Sequence, residues 1–162
     1  MHRPANVDAG DCFSRMIVAV VSGTRGIPVV FPVHPRTARR LVEIGPLSPQ
    51  LQIVEPQPYL EFNYLVENAF AVITDSGVVT EETTFMGVPC MTLRDNTERP
   101  ETITLGTNEL IGTDPTALAP ALERLFAGGW TQGTIPEKWD GKAATRIVAA
   151  LERLPLANTN LH

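Results

Sequence analysis

Short apolar segments alternate along this chain with segments whose apolar residues recur at helical spacing. The apolar segments are rich in β-branched residues and have the length of buried parallel strands, at residues 29–31, 51–54, 72–74, 90–93 and 109–111. Helical spacing fits residues 11–22, 37–44, 59–68, 78–86, 115–126 and 142–151. This alternation predicts an α/β fold, a Rossmann-like doubly wound parallel sheet, with residues 1–162 as a single domain.

An abrupt turn separates the third strand from its helix. Asp75, Ser76 and Gly77 tolerate tight turns, and Ser76 is a natural N-cap for the helix that follows. Unpaired N–H groups and the dipole at that helix N-terminus favour an anion such as a phosphate, and Gly77 leaves the approach open. The alternative is that these residues cap a helix and bind nothing.

Two adjacent carboxylates, Glu81 and Glu82, lie one turn into the same predicted helix. A carboxylate at this place can accept hydrogen bonds from two vicinal ribose hydroxyls, whereas the alternative role is compensation of the helix dipole. Because adjacent helical residues point about 100° apart, only one of the two is expected to face a ligand. Together with the turn, they predict a nucleotide-diphosphate pocket.

Alternating charges follow the fourth strand in residues 94–101. Ligands bind at the carboxyl ends of parallel strands in open α/β sheets, and arginine presents a planar fork to phosphate oxygens. Arg94 and Arg99 are therefore both candidates for holding an oxyanion, with the other arginine held by Asp95 or Glu98. A solvated loop of salt bridges is the alternative.

Composition limits the remaining classes of function. The net charge of −5 and pI near 5.2 argue against a nucleic-acid surface, and no apolar run is long enough to cross a membrane. Cys12 and Cys90 are too far apart in the sequence to suggest a metal site or a disulfide framework. They are expected to be buried, reduced thiols of a cytoplasmic protein.

Specific motifs carry a resemblance to a known family. DSGVVTEE followed by GVPCMTLRDNTERPETITLGTNELIG, with HRPANVD, FPVHPRT and EPQPYLEF upstream, resembles the C-terminal half of the non-hydrolysing UDP-N-acetylglucosamine 2-epimerases. The resemblance runs from His2 to about Ala127. It implies the nucleotide-binding half of a two-domain GT-B-type architecture, as found in glycosyltransferases.

The resemblance also implies a reaction and its partners. Family members are isomerases of cell-surface polysaccharide biosynthesis that interconvert UDP-N-acetylglucosamine and UDP-N-acetylmannosamine by eliminating and re-adding UDP, with no cofactor or metal. Acidic catalytic residues come from an N-terminal domain that the resemblance does not cover. This chain is therefore expected to bind UDP and UDP-N-acetylhexosamines, to be inactive alone, and to meet that domain on a separate chain or in a homodimer.

The family's functional positions transfer to individual residues. The resemblance implies that His2 is catalytic, contacting the diphosphate and aiding departure of UDP. Gln57 and Phe62 match residues that hold the uracil. UDP-binding positions in the phosphate, ribose and nucleotide-sugar regions match Ser76, Gly77, Glu82 and Arg99. Arg3 and His34 match positions that touch a second, allosteric UDP-N-acetylglucosamine in bacterial members.

Two departures from the family pattern concern the pocket. Val78 stands where many members have a glycine beside the phosphate, and Ala5 replaces a glutamate. Val78 keeps its backbone N–H, but its β-branched side chain restricts close approach. Two other functions remain open: the nucleotide-sugar half of a GT-B glycosyltransferase, and a non-enzymatic module that binds UDP-sugars.

Overall fold

The structure, a computed structural model, describes residues 11–44 and 48–154. Strands and helices alternate as the sequence predicts. The strands are β1 (Val29–Pro32), β2 (Leu51–Val54), β3 (Val72–Thr74), β4 (Cys90–Thr92) and β5 (Asn108–Leu110). The helices are α1 (Cys12–Gly23), α2 (Pro35–Ile44), α3 (Tyr59–Glu67), α4 (Gly77–Met86), α5 (Pro100–Thr104), α6 (Leu118–Phe126) and α7 (Ala143–Glu152), with a 3₁₀ turn at Pro115–Ala117.

All the strand pairs are parallel, but the strands form two sheets where the sequence predicts one. β1 pairs with β2, and β4 lies between β3 and β5. A cavity of about 520 Å³ lies between β1 and β3, lined mainly by apolar side chains that include residues of α1, α3 and α6.

Helix α1 joins two apolar cores because adjacent rows of its single apolar stripe belong to different cores. Met16 and Val20 belong to the core above the three-stranded sheet, with Met91 and Leu122. In the neighbouring row of α1, Phe13 and Ile17 belong to a second core beside the two-stranded sheet, which also contains Val33, Leu41 and Leu51. The four-residue spacing within each pair of α1 residues places both members on one helical face.

Helix α5 begins at the end of the charged segment 94–101, where no helix is predicted from the sequence. Pro100 occupies its first turn and Glu101 supplies an acidic residue there, and both are helix-initiating signals. A buried polar network anchors the helix: Thr92 donates to Asn108 (2.6 Å), and Asn108 donates to Thr102 (3.2 Å). Pro100 and Glu101 are thus a helix-start signal in the sequence, but the helix that they begin has only five residues.

Helix α7 differs from the others because none of its residues is buried. Its apolar residues Ile147, Val148 and Leu151 are exposed. A bidentate ion pair between Arg146 and Asp140, with N–O distances of 2.6 and 2.8 Å, joins the helix to the preceding loop. This pair lowers the pKa of Asp140 to about 2. No helix in the described part of the chain is long and apolar enough to span a membrane.

Candidate functional site

The N-terminus of α4 lies at the carboxyl end of β3, as predicted. Ser76 is the residue that precedes the helix, in extended backbone conformation, and its side chain makes no capping hydrogen bond. The backbone N–H of Ser76 donates a hydrogen bond to Thr74 Oγ1 (3.1 Å). The hydroxyl of Ser76 is thus not used to cap α4, and the first-turn N–H groups keep their capacity to bind an anion.

A buried arginine faces this helix end. Arg94 follows β4, is only 7% exposed, and places Nη1 3.8 Å from where a Cβ on Gly77 would lie. Its Nη2 donates to Asn96 Oδ1 and to Glu98 Oε1, each at 3.1 Å. Positive charge therefore lies beside the helix N-terminus, in a guanidinium whose orientation is fixed by two acceptors.

The second arginine is held by a different carboxylate. Arg99 Nε donates to Glu81 Oε1 at 2.6 Å. The sequence predicts instead that one of the two arginines pairs with Asp95 or Glu98. Glu98 is the partner of Arg94, as predicted. The backbone around Arg99 is also fixed, because its N–H donates to Thr97 Oγ1 and its carbonyl accepts from Thr102.

Glu82 points away from Glu81, toward α3. Its Oε1 accepts a hydrogen bond from the Tyr59 hydroxyl at 3.0 Å. The two adjacent carboxylates therefore have different partners, Arg99 for Glu81 and Tyr59 for Glu82. Glu82 lies on the side of α4 that meets the EPQPYLEF segment.

Gln57 and Phe62 lie within that segment. Gln57 is half-buried and donates to the carbonyl of Glu55 at 2.7 Å. Phe62 is half-buried and lines the cavity between the sheets, with Thr74 and Val79. Phe62 is thus close to the carboxyl end of β3, with part of its ring surface available.

Of the remaining predicted residues, His34 alone lies within residues 11–44 and 48–154. His2 and Arg3 are outside the described residues, as is Ala5. His34 is exposed and follows β1, so it belongs to the two-stranded sheet and not to the end of α4.

The cysteines differ in environment. Cys90 is the first residue of β4, the central strand of the three-stranded sheet. It is fully buried, and this burial raises the pKa of its thiol to about 11. Cys12 is only half-buried, where full burial was expected, because it lies at the first turn of α1. Both are free thiols. Within residues 11–44 and 48–154, no group of three His, Cys, Asp or Glu side chains could hold a metal ion.

Comparison with known proteins decides the family. A family model described as UDP-N-acetylglucosamine 2-epimerase matches residues 1–152. The chain belongs to the UDP-N-acetylglucosamine 2-epimerase family. The match confirms the resemblance seen in the sequence and favours this family over the glycosyltransferases.

Individual family members show how far the similarity extends. The chain is 39% identical to the UDP-N-acetylglucosamine 2-epimerase of Methanocaldococcus jannaschii, covering 93% of this chain and 43% of the relative. It is 34% identical to a UDP-2,3-diacetamido-2,3-dideoxy-D-glucuronate 2-epimerase of Pseudomonas aeruginosa, covering 95% and 43%. The chain thus spans about two fifths of the length of these relatives.

Solved structures of the family confirm the fold class. The M. jannaschii UDP-GlcNAc 2-epimerase in complex with UDP-GlcNAc and UDP superposes with a TM-score of 0.78 at 36% identity, covering 93% of this chain and 43% of that one. A Listeria monocytogenes structure described as a UDP-N-acetylglucosamine 2-epimerase gives 0.76 at 34% identity, covering 93% and 42%. The α/β fold is therefore that of one part of the GT-B-like epimerases.

Sequence reasoning missed one polar contact of the site. Tyr59 lies inside the EPQPYLEF motif, between Gln57 and Phe62, but was not singled out. Its position was the available signal. Tyr59 lies between two residues expected to bind a base, and the next helix along the chain, α4, carries two adjacent carboxylates.

Proposed function

We propose that this chain is the UDP-binding part of a UDP-N-acetylglucosamine 2-epimerase, an isomerase acting on UDP-N-acetylhexosamines. The observation that carries the proposal is the arrangement around α4 in a member of this family: a helix N-terminus beside Arg94, with Glu82 one turn further on. Ser76 and Gly77 bind the diphosphate, Glu82 binds the ribose, and Gln57 and Phe62 hold the uracil.

The arrangement suits the elimination of UDP. Negative charge builds on the departing diphosphate as the sugar C1–oxygen bond breaks. The α4 N-terminus and the guanidinium of Arg94 stabilise that charge more in the transition state than in the ground state. Arg99, fixed by Glu81, faces the nucleotide-sugar region, and His2 aids departure of UDP.

Other parts of the proposal concern context. Residues 1–162 form a single nucleotide-binding domain, and Arg3 and His34 contribute to a separate UDP-N-acetylglucosamine site. The acidic catalytic groups come from the portion of the relatives that this chain does not cover, whichever polypeptide carries it, or from a homodimer. Two free thiols, one of them buried, favour a cytoplasmic location.

Titration of UDP into the purified chain by calorimetry tests the proposal, with Glu82→Ala as the variant. Wild-type chain is expected to bind UDP saturably. Glu82→Ala is expected to weaken binding by about tenfold or more, because hydrogen bonds from the ribose to a charged acceptor are lost. The variant should keep its thermal midpoint, since within the described residues the hydrogen bond from Tyr59 is the only one that the Glu82 side chain makes.

Glu67→Ala is the matched control, because it removes an exposed carboxylate at the end of α3. It should bind UDP like the wild type. If wild-type chain does not bind at millimolar UDP, the proposal is wrong; if Glu82→Ala binds normally, the ribose assignment is wrong.

A further inference from the structure

A tyrosine hydroxyl already occupies one oxygen of the proposed ribose carboxylate. Tyr59 is the first residue of α3, and it reaches 23 positions along the sequence to donate to Glu82 Oε1 at 3.0 Å. The side chain is 65% exposed, so apolar burial does not account for its position. Tyr64, the other tyrosine of the chain and equally exposed on α3, makes no hydroxyl hydrogen bond within the described residues.

The contact restricts a side chain that would otherwise be mobile. A glutamate has three rotatable bonds, and fixing it on ligand binding costs conformational entropy. Tyrosine has only two side-chain torsions before its hydroxyl, and a hydrogen bond to a carboxylate is stronger than one between neutral groups. Tyr59 therefore holds the Glu82 carboxylate in one orientation before a nucleotide arrives.

The same contact leaves the carboxylate able to bind a ribose. An ionised carboxylate has two oxygens with about four acceptor sites, and Tyr59 uses one site on Oε1. Oε2 and the other lone pair of Oε1 remain for two vicinal hydroxyls. The tyrosine and a ribose can thus be bound at the same time.

The position of Tyr59 in the sequence links two parts of the proposed pocket. Gln57 and Phe62, on either side of it, are the residues proposed to hold the uracil, and Glu82 is the residue proposed to hold the ribose. We infer that Tyr59 is a positioning residue that fixes the ribose-binding carboxylate of Glu82 relative to the base-binding segment. The inference rests on the proposed function and adds a residue to it.

Calorimetric titration of the whole chain with UDP and with 2′-deoxy-UDP tests this role. Tyr59→Phe is expected to weaken UDP binding by about three- to tenfold, since it removes one hydrogen bond to a charged group and leaves the ring. The preference for UDP over 2′-deoxy-UDP should fall in the variant, because only ribose recognition depends on the carboxylate's orientation. The thermal midpoint should not change.

Two further variants separate the possible outcomes. Tyr64→Phe, the matched control on the same helix, should bind both nucleotides like the wild type. In a Glu82→Ala background, adding Tyr59→Phe should have no further effect on UDP affinity, because the group that the tyrosine positions is gone.

The results distinguish this inference from the proposed function. If Glu82→Ala weakens UDP binding but Tyr59→Phe leaves it unchanged, or tightens it, the positioning role is wrong and the ribose assignment stands. An equal loss for UDP and 2′-deoxy-UDP in Tyr59→Phe would also overturn it. If Glu82→Ala binds UDP normally, the ribose assignment fails, and the inference fails with it.

Discussion

Gly77 and Val78, at the start of α4, are expected to affect the stability of the fold and the approach of a phosphate in opposite ways. A Cβ at Gly77 would point into the space beside the Arg94 guanidinium, 3.8 Å away, without clashing with it. Val78 has a β-branched side chain that is 61% exposed at the position where the family pattern often has glycine. The fold accommodates a side chain at either position. A side chain there is therefore expected to weaken phosphate binding more than it affects folding.

Gly77→Ala and Val78→Gly should therefore shift stability and affinity in opposite directions. Gly77→Ala is expected to raise the free energy of unfolding by up to about 1 kcal/mol, through helix propensity, and to weaken UDP binding several-fold. Val78→Gly should lower stability by about 0.5–1 kcal/mol and tighten UDP binding. Urea denaturation and calorimetry measure both quantities; parallel changes in the two would contradict this account.

The buried thiol of Cys90 links stability to alkaline pH. Its pKa is about 11 in the folded protein, against an ordinary value of 9.0. Between these values the unfolded chain releases the proton and the folded chain keeps it, so the stabilising contribution is complete below pH 9 and is lost as pH rises toward 11. The loss amounts to roughly 2 to 3 kcal/mol.

Comparison with Cys90→Ala isolates this effect from other groups that titrate at high pH. The difference in unfolding free energy between wild type and variant, from urea melts at pH 7.5 and 10.5, should decrease at the higher pH. A difference that is constant across this range would show that the thiol does not titrate between the folded and unfolded states.

At the scale of elements, a polar network fixes the backbone of Arg99, which is proposed to contact the nucleotide-sugar. The Thr92 hydroxyl, 2% exposed, donates to Asn108, which in turn donates to Thr102. Thr102 donates to the carbonyl of Arg99, at the point where α5 begins. Strands β4 and β5 thereby fix the start of α5, and with it the backbone of Arg99.

Asn108→Leu should break this network. The variant leaves the buried Thr92 hydroxyl without its acceptor, so a loss of about 1–3 kcal/mol in unfolding free energy is expected. The double variant Thr92→Val with Asn108→Leu should be less destabilised than the sum of the single variants, because both partners are removed together. Additive costs in chemical denaturation would show that the two side chains are not coupled.

Most elements followed from the sequence because their signals are local. The strand runs and the Ser76 turn depend on residues that are adjacent in the chain, and the structure places them close to the predicted positions. The helix predicted from Pro115 begins with a 3₁₀ turn, and α6 itself starts at Leu118. The pairing of Arg99 with Glu81 and of Tyr59 with Glu82 joins residues 18 and 23 positions apart. Such pairs depend on how α3, α4 and α5 pack, and local patterns do not contain that information.

At the scale of the whole molecule, α1 is the element that both cores share. Adjacent rows of its apolar stripe pack in the two cores. Among the described residues, no backbone hydrogen bond joins the two sheets, and the cavity lies between β1 and β3. The proposed phosphate and ribose residues, on α4, belong with the three-stranded sheet. Among the described residues, His34 follows β1 and Gln57 follows β2 of the two-stranded sheet.

This division has a consequence for how the protein opens in its native state. A two-stranded sheet is marginal by itself, and cooperative units of a protein open with different free energies. Amide protons of Val29 and Val33, bonded to β2 and its flanks, should exchange with solvent deuterium through a smaller opening than those of Leu93 and Ile111. Equal opening free energies would show a single cooperative unit. If the two sheets open as separate units, UDP should slow exchange of the Leu93 and Ile111 amides and leave exchange of the Val29 and Val33 amides nearly unchanged.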